Sequence, residues 1–419
     1  MRVLHTADWH LGKTLEGQSR LEEQALFLRD FVRMAEDERA DVIVIAGDIY
    51  DSVNPPAKAE MLFYDTLKKL SPKGERLIIV IAGNHDNPER LVAAGPLAME
   101  HGIVMAGLPG TVIRLGKYGK HRITESGAGY FKAEVACADG IKERLVCTLV
   151  PYPSEKRLAE VLYEEQEDEK KDAEDYAARL DRMFRMLEVH FEEQSVNLMC
   201  AHLFAMGSIS AGSERSLSLG NSYLIDGALF PKKADYIALG HIHKPQKVPH
   251  TGGRARYAGA PLHYHKNEAA YKNVCLLAEL HPGQKPQITS VSVPVYKPIE
   301  IWRCDGVEDA LKKCEAHHED ASYVYLEIET DRYIREDEMK EMKQWKQDIM
   351  EIKPILKKTD AKENGSKAVA EQSMEELFRN FYRQEKGTEV SEETLKLFLE
   401  IAGEEQELEA DRTDNQRNQ

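Results

Sequence analysis

The string RLIIVIAGNHD at residues 76–86 carries the pattern that decides the fold. Its first half is a short run of apolar residues, many of them β-branched, which is typical of a strand buried on both faces. Its second half changes to glycine, amide, imidazole and carboxylate groups. Two runs nearer the N-terminus are built in the same way: RVLHTAD at 2–8 and DVIVIAGD at 41–48. We therefore predict three buried strands that each end in polar residues.

Amphipathic segments separate these three runs. The first repeats apolar residues at spacings of four and three, as a helix with one buried face does: Leu21, Ala25, Leu28, Val32 and Ala35. The second begins at a pair of prolines and again places apolar residues on one helical face: Met61, Tyr64, Leu67 and Leu70. Strand–helix–strand–helix–strand is the order of a layered α/β sheet. Further strands are predicted at 145–150, 196–201, 235–240 and 255–259.

Changes in composition predict the domain organisation. Turn-rich segments with several prolines, HPGQKP and VPVYKP, lie between 281 and 298 and favour a boundary there. Beyond them the pattern is strand–helix–strand–helix, with apolar alternation in YVYLEIE at 323–329. We predict five parts: a first domain at 1–280, a small α+β domain at 281–353, a polar linker at 354–372, a helical unit at 373–403 and an acidic disordered tail at 404–419.

Composition limits the function classes. The chain has 72 acidic and 56 basic residues, a formal net charge of −16, which is not the balance of a simple nucleic-acid-binding module. A nucleic-acid substrate would require metal ions, a partner or local basic loops to offset repulsion; candidates for such loops are KYGKHR at 117–122 and Lys244, Lys247, Arg254 and Arg256. A solvated hairpin is the alternative interpretation of both.

The sequence also predicts a location. It begins directly with a predicted strand and shows no signal peptide, and its apolar runs are too short to span a bilayer. Six cysteines form no CxxC pair, which fits reduced thiols. We expect a soluble cytoplasmic protein without a membrane partner.

Side chains suited to metal binding follow the predicted strands in a fixed order. They are Asp8 and His10, Asp48, Asn84, His202, and His241 with His243. Each fragment alone is more often structural, and glycines such as Gly47 and Gly83 are explained by tight turns. Five fragments that each follow an apolar strand are a specific signal, because such loops converge at the carboxyl edge of an α/β sheet.

The residue types indicate the chemistry. Imidazole, carboxylate and amide ligands without a thiolate suit Mn²⁺, Fe²⁺ or Zn²⁺ better than a structural zinc. Two such ions about 3.5–4 Å apart can hold the attacking and leaving oxygens of an in-line displacement at phosphorus. A carboxylate must then bridge the ions, and Asp48 is the natural candidate.

The motif order DxH, GDxxD, GNHD, H, GHxH resembles that of the calcineurin-like metallophosphoesterase superfamily. The strings TADWHLGKTLEG, GDIYDSVNPP, AGNHDNPERL, GSERSLSLG, LGHIHKPQ and YAGAPLHY look like the SbcD family within it, the nuclease partners of SbcC ATPases. The likeness is strong over about 1–270 and weaker to about 402. It implies an α/β metallophosphoesterase sandwich, a small α+β capping domain and a C-terminal helical unit.

The resemblance also implies roles for the site residues. One metal ion would be held by Asp8, His10, Asp48 and His243, and the other by Asp48, Asn84, His202 and His241. His85 would stabilise the transition state or protonate the leaving 3′ oxygen, and Asp86 would orient its imidazole. For Asp51, a loop-capping role and a role behind the ligands are both open. Two Mn²⁺ ions are the expected cofactors.

The implied function is a metal-dependent DNA nuclease with 3′→5′ double-strand exonuclease and single-strand or hairpin endonuclease activity. It would act in DNA break processing, replication and recombination. An SbcC-type coiled-coil ATPase would bind residues 373–403, and the chain would be a homodimer within a heterotetramer. The same ligands also suit a phosphatase or a cyclic-nucleotide phosphodiesterase, and a catalytically inactive scaffold is the alternative of another class.

Overall fold

The computed structural model describes residues 1–162, 176–210 and 224–356, together with 378–379, 394–396 and 398. Met1–Ile355 form one compact unit and Leu356–Gln419 a second. The motif GSERSLSLG at 212–220, most of the predicted helical unit and the tail at 404–419 lie outside the described residues. The few described residues of the helical unit are helical.

The strands and helices of the described part, in chain order, have the following bounds. The strands are β1 (Arg2–Thr6), β2 (Thr14–Leu15), β3 (Gln18–Ser19), β4 (Val42–Ala46), β5 (Leu77–Ile81), β6 (Ile103–Ala106), β7 (Gly116–Tyr118), β8 (His121–Gly127), β9 (Tyr130–Ala136), β10 (Lys142–Val150), β11 (Val196–His202), β12 (Phe204–Ala205), β13 (Leu224–Ile225), β14 (Tyr236–Gly240), β15 (Gln246–Lys247), β16 (Ala255–Tyr257), β17 (Val274–Glu279), β18 (Gln287–Ser292), β19 (Ile299–Cys304), β20 (Tyr323–Thr330) and β21 (Ile349–Leu356). The helices are α1 (Leu21–Asp37), α2 (Ala57–Leu70), α3 (Pro88–Val92), α4 (Gly95–Ala98), α5 (Glu155–Leu162), α6 (Tyr176–Glu188), α7 (Val307–Ala316) and α8 (Glu336–Trp345).

Two mixed sheets form the main body. The first has the order β18-β17-β1-β4-β5-β6, with β1, β4, β5 and β6 parallel, β17 antiparallel to β1, and β18 antiparallel to β17. The second has the order β15-β16-β14-β11-β10-β9-β8-β7, with β10, β11, β14 and β16 parallel. The strands predicted from the apolar runs are therefore confirmed, within a few residues at their ends.

The two sheets pack face to face between outer helices. Along β4, Val42, Val44 and Ala46 belong to the core shared by the two sheets, whereas Ile43 and Ile45 belong to the core under α1 and α2. On the far side, α6 packs its apolar residues against the outer face of the second sheet. Burial on both faces explains why apolar residues follow one another along these strands without alternation.

The small domain, defined here as residues 299–355, contains β19, β20 and β21 with α7 and α8 on one face. Its other face packs Ile299, Tyr323 and Tyr325 against Leu15 of the β2–β3 hairpin, which lies just after the DWH motif. The predicted strand–helix–strand–helix order is present, and a last strand follows it.

Two predicted boundaries differ from the structure. β18 lies beyond the predicted limit at 280 and still pairs with β17, so the first sheet extends to Ser292. Residues 354–356, predicted as the start of the linker, instead end β21. At β18, backbone pairing with β17 overrides a polar local composition.

The strands β7, β8 and β9 were not predicted, because they are half exposed and β7 has only three residues. The basic string at 117–122 forms the β7–β8 hairpin, which supports the alternative interpretation of that string. Lys120 pairs with Glu75 at 3.0 Å, just before β5, whereas Asn84 follows the other end of that strand. This basic hairpin therefore lies away from the candidate site.

The described helices include none that is long and apolar enough to cross a bilayer. Each of the six cysteines is a buried free thiol.

Candidate metal centre

The predicted ligands lie where the two sheets meet at one edge. Asp8 follows β1, Asp48 follows β4 and Asn84 follows β5, all from the first sheet, while His202 ends β11 and the pair His241 and His243 follows β14 in the second. The sheet-edge argument from the sequence is confirmed. Apart from the partly exposed Asn84, all these side chains are buried.

The backbone at this edge is unusual. Asp8, His10, Asp48 and His241 all have positive φ, between 45° and 100°. Residues other than glycine rarely adopt this region, and such strain is concentrated at functional sites. An extended segment would turn Asp8 and His10 to the same side by alternation alone, but the backbone is not extended here. Trp9 does face away, into a cage formed by Phe27, Phe31 and Phe63.

Three glycines make room for the ligands. A Cβ on Gly83 would lie 2.0 Å from Asp48 Oδ1, and one on Gly47 would lie 2.2 Å from His202 Nδ1. A Cβ on Gly240 would meet the Ala46 carbonyl at 1.9 Å. These positions need glycine for close approach, and at Gly47 also for its φ of 89°.

Asp8, His10 and His243 form the first cluster, with one donor atom from each lying within 4.8 Å of the others. The Nε2 atoms of His10 and His243 are 3.0 Å apart. Asp8 accepts a hydrogen bond from the His241 backbone N–H with Oδ1, whereas its buried Oδ2 has no hydrogen-bond partner among the described residues. A buried carboxylate oxygen without a donor, beside two convergent imidazoles, fits a cation.

Asp48, His202 and His241 form the second cluster on the same criterion, and Asn84 completes it. The Asn84 Oδ1 atom lies 3.0 Å from His202 Nε2 and 2.9 Å from His241 Nδ1. His202 donates its Nδ1–H to the Ala46 carbonyl at 2.9 Å, so Nε2 carries the lone pair in the neutral ring. Electron-rich atoms that face one another in this way suit a shared cation.

Asp48 lies between the two clusters. Its Oδ2 atom is 3.4 Å from His202 Nε2 and 3.7 Å from His10 Nε2, so it reaches one imidazole of each cluster. Its Oδ1 atom accepts the His85 backbone N–H at 2.9 Å. This is the placement required of a bridging carboxylate.

The electrostatics of the centre follow from its burial. Burial raises the pKa of Asp8 to about 7 and lowers that of His10 to about 3, since each loses water around its charged form. Burial would also lower the pKa of His202, but the Asp48 carboxylate outweighs this effect and raises it to about 9. A neutral His10 ring is suited to donate a lone pair to a metal ion.

The structure separates the roles of His85 and Asp86. His85 donates its Nδ1–H to the Asp51 carbonyl at 2.7 Å, and its ring lies edge-on to His10 at 4.6 Å. The prediction that Asp86 orients this imidazole is wrong. The Asp86 carboxylate instead accepts three backbone N–H groups, from Ile49, Tyr50 and Gly83, and so holds the Asp48 and Asn84 loops together.

Asp51 takes the role behind the ligands rather than that of a simple loop cap. Its carboxylate lies 2.8 Å from Lys13 Nζ, 3.5 Å from His10 Nδ1 and 3.9 Å from His85 Nδ1.

Among the basic residues predicted to contact phosphate, Arg254 donates to backbone carbonyls of the 231–234 loop and is structural. Lys244 directly follows His243 and is half buried.

Several residues around the ligands were not predicted. Glu268 is fully buried and lies 3.4 Å from His243 Nδ1, the usual carboxylate behind a ligand imidazole. Gln24 and Tyr264 bind the backbone of the loop that carries His10. These contacts join segments distant in the chain, and only the string YAGAPLHY, which contains Tyr264, offered a signal.

This sheet edge, with two adjoining clusters of carboxylate, amide and imidazole groups, is that of a metal-dependent phosphoesterase. The family model for calcineurin-like phosphoesterases matches residues 1–245, and a second model, described as the type 5 capsule protein repressor C-terminal domain, matches 295–386. The class therefore covers more than half of the chain, and the groups present fit divalent metal ions.

Curated relatives identify the family of this chain within the calcineurin-like phosphoesterases. The SbcD component of the nuclease SbcCD from Bacillus subtilis is 37% identical over 96% of this chain and 98% of its own length. Proteins of the same name from Rhodobacter capsulatus and Staphylococcus epidermidis are 29% and 27% identical, over 80% and 91% of this chain and 82% and 93% of their own lengths. The chain belongs to the SbcD family of calcineurin-like phosphoesterases. It is a metal-dependent phosphodiester hydrolase of the nuclease type.

The position of Asp48 generates a prediction. Replacing Asp48 with alanine should remove at least one bound ion and abolish hydrolysis of a chromogenic phosphodiester, because two cations would then face one another without the carboxylate between them. Asp48→Asn tests the same charge while keeping the acceptor for the His85 N–H. Elemental analysis gives metal per chain. Two retained ions with near-normal turnover would show that Asp48 is not the bridge.

Proposed function

We propose that this chain is the DNA nuclease component of a break-processing complex, with 3′→5′ exonuclease and endonuclease activity that depends on two Mn²⁺ ions. The observation that carries the proposal is the placement of the Asp48 carboxylate within 3.7 Å of imidazoles from both clusters. Relatives named as components of the nuclease SbcCD, matched over 80–96% of this chain, support DNA as the substrate.

The two clusters define the proposed ligand sets. The first metal position comprises Asp8, His10, Asp48 and His243, and the second comprises Asp48, Asn84, His202 and His241. When bound, the two ions would polarise the phosphodiester and supply a nucleophile at neutral pH. Carboxylate, amide and imidazole donors suit Mn²⁺ as well as the other first-row ions, so the preference for Mn²⁺ rests on the family.

His85 is proposed to act on the substrate and not as a ligand. Its Nδ1–H is held by the Asp51 carbonyl, which fixes the ring and leaves Nε2 as the atom able to carry a transferable proton. The peptide N–H of His85 is bound by Asp48, so the loop position is set by the bridging carboxylate. The neighbouring Lys13 and Asp51 place a charged pair beside this imidazole.

A phosphatase or cyclic-nucleotide phosphodiesterase would use the same metal ligands. What favours a nuclease is the part of the chain after the main body, since a stand-alone phosphatase needs neither the small domain nor the C-terminal segment matched through residue 386. The complete ligand set with His85 present argues against an inactive scaffold.

Substrate choice gives the test of this proposal. The purified chain with Mn²⁺ should degrade linear double-stranded DNA from its ends and open a DNA hairpin, while a phosphopeptide stays intact. Product sizes on a denaturing gel and released phosphate measure the two reactions. Rapid release of phosphate from the peptide, with DNA untouched, would identify a phosphatase instead.

Replacement of His85 separates binding from chemistry. His85→Asn should lower turnover on DNA by about 10²–10⁴-fold, the usual contribution of a general acid, with metal content and DNA affinity nearly unchanged. Turnover is measured at saturating DNA, and metal per chain by elemental analysis. A parallel loss of metal would make His85 a ligand, and unchanged turnover would assign proton transfer to solvent.

The partner is proposed to be an SbcC-type coiled-coil ATPase bound by residues 373–403. Of the described residues there, Phe378 and Phe398 stack with ring centroids 3.9 Å apart, and Leu395 is buried.

The chain itself is proposed to form a homodimer. Exposed apolar residues support this: Val53, Met61 and Leu97 are 55%, 65% and 73% exposed, and Arg90 joins the segments of the first two through Asn54 and Glu60.

The Phe378–Phe398 stack gives a test of the partner site. Replacing both residues with serine should abolish co-purification with the ATPase, because a stacked aromatic pair and its buried area hold the two segments together. Mn²⁺-dependent cleavage of DNA by the isolated chain serves as the control and should persist. Undiminished complex formation would place the ATPase contact elsewhere on the chain.

A further inference from the structure

A buried polar network connects the small domain to the loop that carries Asp8 and His10. We call it the buried bridge, and its members come from three separate regions of the chain. Each is at most 7% exposed: Arg20, Glu23, Gln24, Tyr264 and Tyr323. Arg20 precedes α1, and Glu23 and Gln24 lie near the start of that helix. Tyr264 follows β16, and Tyr323 is the first residue of β20 in the small domain.

The first part of the bridge, formed by Tyr323, Glu23 and Arg20, joins the small domain to α1. The Tyr323 hydroxyl donates to Glu23 Oε2 at 2.7 Å. The Arg20 guanidinium donates to both oxygens of Glu23, at 2.5 Å and 2.8 Å, and to the His263 carbonyl at 2.6 Å. The Arg20 guanidinium also lies 4.9 Å from the Tyr323 ring centroid and 5.9 Å from that of Tyr264.

The second part of the bridge, formed by Tyr264 and Gln24, joins these groups to the loop that carries Asp8 and His10. The Tyr264 hydroxyl donates to the Trp9 carbonyl, and its ring lies 5.6 Å from the His10 ring and 6.2 Å from that of His243. Gln24 donates to the His10 carbonyl at 2.8 Å and accepts the Gly12 N–H at 3.0 Å. The loop from Trp9 to Gly12 is thus held on its backbone by two side chains of the bridge.

The bridge is sensitive to the loss of any one member. In a water-poor interior, a hydrogen bond to a charged group is strong, and a charged group that loses a donor is costly. Glu23 receives donors from Arg20 and Tyr323 together, so removing the tyrosine hydroxyl leaves Arg20 to satisfy that carboxylate alone. A shift of Arg20 would move the backbone of His263, to which it donates, and with it the adjacent Tyr264. The Tyr264 hydroxyl donates to the Trp9 carbonyl.

We propose that Tyr323 of the small domain is a positioning residue for the first metal position, acting through Glu23, Arg20 and Tyr264 on the loop that carries Asp8 and His10. The proposal rests on the metal assignment given under the proposed function. It makes the small domain a contributor to metal affinity without placing any of its residues in the centre. Asn84, His202 and His241, which belong to the second position alone, bond to one another and to the Ala46 carbonyl, so we expect that position to be much less affected.

The apolar contact of the small domain makes the hydroxyl separable from docking. Leu15, Ile299, Tyr323 and Tyr325 form one apolar cluster. A phenylalanine at 323 keeps that packing and loses only the bond to Glu23. Tyr325 offers a matched control, because it lies on the same strand and its hydroxyl faces Glu16 of the hairpin, at 3.5 Å, rather than the bridge.

The experiment is Mn²⁺ binding by calorimetry to the full chain freed of metal, with wild type, Tyr323→Phe, Tyr325→Phe and Tyr264→Phe. His243→Ala identifies which class of site is the first position. Tyr323→Phe should weaken that class by roughly 2- to 30-fold, leave the other class nearly unchanged and lower the melting temperature by at most a few degrees. Tyr264→Phe should weaken the same class further, and Tyr325→Phe should match the wild type.

Three results would overturn the inference: unchanged affinities in Tyr323→Phe, equal weakening of both classes with a lower melting temperature, or the same selective weakening in Tyr325→Phe. A wild-type chain that binds fewer than two Mn²⁺ ions would instead contradict the proposed metal assignment. The two failures are therefore distinguishable in one set of titrations.

Discussion

The buried carboxylate of Asp48 is the group around which the rest of the structure is arranged. Burial opposes its ionisation, yet His202, His10 and His85 together hold its pKa well below the usual range. Those imidazoles come from both sheets, so the sheets must pack in one register to bring them there. The requirement for glycine at position 83, where a side chain would collide with Asp48, follows from the same carboxylate.

Much of this could be predicted from the sequence because the signals are local. An apolar run such as LIIVI at 77–81 specifies a strand buried on both faces, and the polar residues after it must then lie at the sheet edge. The order of five such fragments was enough to predict that Asp8, Asp48, Asn84 and the three later histidines lie at one edge of the sheets.

The remainder depended on contacts between distant parts of the chain. Asp86 follows His85, so adjacency suggested an imidazole partner, but its carboxylate is used by backbone groups 36 and 37 residues away in the Asp48 loop. Glu268 and Tyr264 reach the centre only because the chain returns to the edge after β16. The left-handed backbone at Asp8 and His10 has no sequence signature, since aspartate and histidine adopt many conformations.

The distribution of the ligands along the chain has a consequence for how the protein matures. The first set of side chains is complete only when His243 has been joined to Asp8, and the second only when His241 has been joined to Asn84, so neither can exist on a nascent chain that ends before the second sheet is made. Ions that bind only the folded form stabilise it by mass action, by about 2.7 kcal/mol at a hundredfold excess over the dissociation constant. Metal loading would therefore follow the synthesis of β14, and the bound ions would fasten the ends of β1, β4 and β5 to those of β11 and β14.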